Sequence, residues 1–122
     1  MARILLAEDD EAMRQFLAAA LSRAGHDVAS YADGRSALGA FAPGRPDRYD
    51  LLIADIVMPG LDGIELAKQA RASQPGLRVM FITGFAAVAL AGRPEPVPGA
   101  AVLSKPFHLR ELVSWVDRML AA

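Results

Sequence analysis

Two kinds of apolar pattern alternate along this chain. Arg3-Ile4-Leu5-Leu6-Ala7, Asp27 to Tyr31, Leu51-Leu52-Ile53-Ala54, Arg78 to Ile82 and Ala101-Val102-Leu103 are short apolar runs that read as strands. The unbroken run from Leu51 to Ala54 has no polar face, which is the habit of a strand covered on both sides in a parallel sheet. Between these runs the apolar spacing changes to three and four. Met13, Phe16, Leu17, Ala20 and Leu21 mark a helix that Gly25 stops. A second helix is expected over about Arg35 to Phe41, followed by the loop Pro43-Gly44-Arg45-Pro46-Asp47. A third runs from about Gly63 to Ser73 and is broken by Pro75-Gly76. A short apolar helix is expected over Ala86 to Ala91. It is cut off by the segment 92–99, whose three prolines and two glycines cannot form regular helix. The last helix runs from about Leu109 to Leu120, with Leu112, Val113, Val116 and Leu120 on one face.

Five strands alternating with five helices predict an α/β fold with a doubly wound parallel sheet. The right-handedness of parallel crossovers leaves few ways to wind it. Polar residues then fall at the ends of the apolar runs: Glu8-Asp9-Asp10 after the first, Asp55 after the third, Thr83 after the fourth and Ser104-Lys105-Pro106 after the fifth. In a parallel sheet these ends share one edge, where open α/β sheets bind their ligands. Asp55 taken alone fits a helix cap or a turn equally well, since Pro59-Gly60 and Asp62-Gly63 force a turn just beyond it. Its convergence with the other strand-end residues singles it out.

Composition narrows the class. A chain of 122 residues is expected to form one domain, 1–122, with a single core. A formal charge of −1, with the 13 Lys and Arg scattered, argues against a nucleic-acid footprint. No apolar run is long enough to span a membrane. Met1-Ala2-Arg3 leads straight into a strand rather than a signal peptide, so a cytoplasmic location is expected. The absence of cysteine excludes disulfides and thiolate metal sites. His26 and His108 have no partner at ligand spacing and are not expected to be catalytic or metal-binding.

The acidic pair Asp9 and Asp10, Asp55, Thr83 and Lys105-Pro106, in that order and spacing, resemble the receiver domains of two-component response regulators over essentially the whole chain. The resemblance implies a flavodoxin-like (CheY-like) sheet of order 2-1-3-4-5. It implies a phospho-accepting signalling domain rather than a turnover enzyme, with Asp55 as the nucleophile that becomes an acyl phosphate. Asp10, Asp55 and the Val57 carbonyl would ligate Mg²⁺, with Asp9 reaching it through water. Three carboxylates in one pocket repel by about 4 kcal/mol per pair at 4 Å and an effective dielectric of 20. A divalent cation with oxygen ligands relieves that. Thr83 and Lys105 would hold the phosphoryl oxygens, and the Lys105-Pro106 bond would be cis. Glu8 is expected to point away from the site.

Within the family, Ile82 to Leu90, Val102 to Pro106, His108 to Val113 and the terminal Leu120-Ala121-Ala122 resemble single-domain receivers of a cell-cycle phosphorelay. Those proteins act, unphosphorylated, as adaptors for the ClpXP protease. The partners implied are a histidine kinase or histidine phosphotransfer protein, ClpX and the protease's substrates. The Leu-Ala-Ala end resembles tags that ClpX recognises and equally resembles a frayed helix end. A phosphate shuttle or sink is the alternative role. The family's usual aromatic residue three positions before the lysine is Val102 here, and Phe85 is the candidate substitute. A haloacid-dehalogenase-like phosphatase would need an Asp two residues after the nucleophile, where this chain has Val57. A flavodoxin-type phosphate loop is incompatible with acidic Glu8-Asp9-Asp10.

Overall fold

The computed structural model describes residues 2–44, 48–84 and 97–121. Five strands, β1 (Arg3–Ala7), β2 (Asp27–Tyr31), β3 (Leu51–Asp55), β4 (Arg78–Thr83) and β5 (Ala101–Ser104), form one parallel sheet in the order β2-β1-β3-β4-β5. The described helices are α1 (Glu11–Arg23), α2 (Gly34–Gly39), α3 (Gly63–Ser73) and α4 (Leu109–Ala121). The fold class and strand order are those expected from the chain. The helix expected over Ala86 to Ala91 lies outside the described residues, as do Phe85, residues 45–47 and Ala122. No described helix is long and apolar enough to cross a membrane.

Each of the first three helices starts at an aspartate. The Asp10, Asp33 and Asp62 carboxylates accept the N–H of Met13, Ser36 and Glu65 respectively, satisfying a donor that the first turn leaves open. Gly25, at φ 96°, ends α1, and its N–H donates to the Ser22 carbonyl. α2 is shorter than expected: past Gly39 the chain tightens into turns in which Phe41 donates to Leu38.

The period of two along the strands divides the core into two layers. Leu5, Ala7, Leu52, Ala54, Val79 and Phe81 face α2 and α3, packing with Ala37, Ile64, Ala67 and Ala70. Ile4, Leu6, Leu51, Ile53, Met80, Ile82 and Leu103 face the other way, onto Leu17 and Leu21 of α1 and Leu112 and Val116 of α4. All five residues of β3 are buried, in keeping with its central place in the sheet.

The register aligns the strand ends. Ala7 pairs with Ala54, Asp55 with Ile82, and Thr83 with Ser104. Residues immediately after β1 and β5 therefore meet Asp55 at one edge. The loop after β3 turns back tightly: the Gly63 N–H donates to the Ile56 carbonyl at 2.9 Å, and a Cβ at Gly63 would stand 2.2 Å from the Asp55 carbonyl oxygen. Backbone cannot yield as a flexible side chain does. Gly63→Ala is expected to cost about 1–3 kcal/mol by overpacking, read as a lower urea midpoint with an unchanged slope. A midpoint equal to that of the wild type would show that the loop has slack.

Candidate functional site

Asp55 ends β3 and is 6% exposed. Both of its carboxylate oxygens are engaged. Oδ1 accepts the Val57 N–H at 3.1 Å, and Oδ2 accepts from Lys105 Nζ at 2.9 Å. Lys105 follows β5, and its backbone N–H donates to the Thr83 carbonyl at 2.8 Å. That bond carries the β4–β5 ladder one residue beyond the strand. The Lys105–Pro106 peptide is cis, as expected. Thr83 is fully buried at the end of β4. Val57, two residues past Asp55, is half exposed at the mouth.

Glu8 departs from the expectation. It is fully buried, and its Oε1 accepts from Lys105 Nζ at 2.8 Å. Its Oε2 accepts the Asp10 N–H at 3.1 Å. The carboxylates that the fold brings together are Glu8, Asp9 and Asp55, with an oxygen of each within 4.8 Å of the others. Asp10, expected as a ligand, lies outside this cluster and caps α1. Strand parity accounts for the place of Glu8. Glu8 is in phase with Ile4 and Leu6, and Asp55 is in phase with Leu51 and Ile53, on the same side of the sheet. Asp9 and Asp10 lie past the end of β1, Asp9 in a bend and Asp10 as the N-cap of α1, so strand parity does not order them. The period of two contained the signal for Glu8, but it names the face only once the packing of α1 and α4 is known.

The electrostatics follow from burial. Desolvation pushes the Glu8 carboxyl above its usual range, against the pull of the Lys105 ammonium and the Asp10 N–H. Desolvation also pulls the Lys105 ammonium down, but its hydrogen bonds to Asp55 and Glu8 outweigh this and hold it above the usual lysine range. Three oxygen donors, two of them buried and Asp9 exposed, suit a hard divalent cation such as Mg²⁺, which keeps part of its water shell.

A parallel sheet of order 2-1-3-4-5 with an acidic cluster and a lysine at its carboxyl edge is the architecture of a phospho-receiver module. The chain matches the response regulator receiver domain over residues 4–117 and belongs to that family. It is 52% identical to the response regulator receiver protein CpdR of Brucella abortus (strain 2308), over 100% of this chain and 99% of that protein. A response regulator receiver protein from Sinorhizobium medicae WSM419 superposes with a TM-score of 0.88 at 30% identity, covering 99% of this chain and 95% of that one. The receiver domain of the hybrid histidine kinase CckA superposes with a TM-score of 0.79 at 36% identity, covering 97% and 98%.

The Lys105 ion pairs set a pH dependence. Because the folded-state pKa of Glu8 is raised, its contribution to stability is complete below the unfolded value of 4.5 and is lost as pH rises through the folded value. For Lys105 the contribution is complete below 10.5 and is lost above its folded value. Removing the ammonium leaves a buried carboxylate unpaired. Lys105→Ala is therefore expected to lose about 2–4 kcal/mol near pH 7. The loss should shrink as pH falls towards 4.5, where protonated Glu8 needs no cation. Urea unfolding at both pH values measures this, and an equal loss at both would mean that Lys105 stabilises by packing instead of charge.

Proposed function

We propose that this chain accepts a phosphoryl group on Asp55 from a histidine kinase or histidine phosphotransfer protein, assisted by Mg²⁺, and so switches its protein partners. The observation that carries the reading is the Asp55 carboxylate at the carboxyl edge of β3, flanked by two further carboxylates and bonded to Lys105. An Asp55 oxygen attacks the phosphorus of a phosphohistidine. The P–N bond breaks, its electron pair stays on the imidazole nitrogen, and the product is an acyl phosphate. Glu8, Asp9 and Asp55 would hold the metal ion, with the Val57 carbonyl as a further donor. Bound there, Mg²⁺ supplies positive charge for the oxygens of the transferring group. Lys105 passes from Asp55 to a phosphoryl oxygen as a point charge, and Thr83 donates its hydroxyl to another.

The output we infer is that of an adaptor for the ClpXP protease, active while Asp55 is unphosphorylated. Its support is the full-length similarity to a CpdR protein. A phosphate shuttle is the second reading, favoured by the 36% identity to the receiver of a hybrid kinase.

Asp55→Asn is expected to abolish labelling by a radioactive phosphohistidine donor in Mg²⁺, while the wild type labels; persistent labelling would move the acceptor elsewhere. For the output, the wild-type protein is immobilised and offered purified ClpX, with and without Mg²⁺ plus beryllofluoride as a stand-in for the phosphoryl group. Capture only without beryllofluoride supports the adaptor role. No capture in either state, with labelling intact, leaves the shuttle.

A further inference from the structure

The turn that carries Glu8 and Asp9 leaves the sheet after Glu8, and a side chain from α1 holds its first carbonyl. The Glu8 N–H still donates to the Tyr31 carbonyl of β2 at 3.1 Å. The Glu8 carbonyl, just past the end of β1, accepts instead from Arg14 Nη1 at 2.9 Å. Arg14 lies in the second turn of α1, one turn before the buried Leu17 and beside Ala18, on the flank of the face that packs on the sheet. Its stem is thus anchored by the helix while its guanidinium reaches back over the turn. Among the described residues, no hydrogen bond or ion pair directs the exposed Asp9 carboxylate. Its direction is set by its backbone, and the peptide on its N-terminal side is the one Arg14 holds. The next peptide is fixed by the Asp10 N–H donating to Glu8 Oε2.

From this geometry we propose that Arg14 is a positioning residue for the cation site, holding the Glu8–Asp9 peptide so that the Asp9 carboxylate converges on Glu8 and Asp55. The inference rests on the reading of the acidic cluster as a Mg²⁺ site and adds a residue that touches neither the metal nor the phosphoryl group. A side chain that orients metal ligands from behind is worth roughly 10–100-fold in metal affinity. Arg14 orients one ligand through a single backbone bond, so the lower end of that range applies.

Isothermal titration of the intact protein with Mg²⁺ is the test. Arg14→Met, which keeps most of the stem and removes the donors, is expected to bind about tenfold more weakly than the wild type. Its urea midpoint without metal should stay within error of the wild type, because the loss lies in orientation and not in the fold. Arg14→Lys, which retains the charge and a donor group on a shorter reach, should recover part of the affinity. Unchanged affinity in Arg14→Met overturns the proposal. So does a loss of affinity matched by a lower metal-free midpoint, or an Arg14→Lys variant as weak as Arg14→Met. If the wild type itself takes up no Mg²⁺, the functional reading fails and this role fails with it; if the wild type binds and Arg14→Met binds equally, only the role of Arg14 falls.

Discussion

The ammonium of Lys105, 2.8 Å from Glu8 and 2.9 Å from Asp55, is what lets two carboxylates be buried side by side at the edge of this sheet. Without a cation, each carboxylate would lose its hydration and gain a like charge as neighbour. The partners come from the ends of β1, β3 and β5, separated by 97 and 50 residues of sequence. The site therefore exists only when the sheet is complete across four of its five strands. On the proposed function, a divalent cation or a phosphoryl group arriving at Asp55 would rearrange the partners of Lys105.

The rest of the fold delivers those three ends to one place. The parallel register aligns the last residues of neighbouring strands. β3 is buried throughout, so its end is held from both layers. The loop after it folds back closely enough that only glycine fits at residue 63, and that constrains the segment carrying Val57. On the other side, α1 is capped by Asp10 and tied back by Arg14 to the Glu8 carbonyl. Three consecutive acidic residues thus have three separate uses: a buried partner for lysine, an exposed carboxylate at the mouth, and a helix cap.

The elements were legible in the chain because their signals are local. Apolar runs marked all five strands to within a residue at each end, and the spacing of Leu17, Ala20 and Leu21 marked α1. Turn chemistry at Gly25 and at Asp62-Gly63 placed the boundaries. Asp55 and Lys105 stood out as polar residues ending apolar runs, which is unfavourable on a buried edge unless they meet. Val102 was visible as a departure from the family pattern, and it is more than a third exposed on β5.

The choice among Glu8, Asp9 and Asp10 was not legible locally. A period of two says that neighbours point to opposite faces, and it is silent on which face will hold the site. That was decided when α1 and α4 covered the Ile4, Leu6, Leu51 and Ile53 side, putting Glu8 in phase with Asp55. The sequence by itself determined the class of fold, the order of its elements and the chemistry gathered at one edge, because propensity and periodicity act over a few residues. Only the tertiary structure decided which carboxylates share the lysine, because burial, register and charge pairing across 97 residues are properties of the assembled sheet.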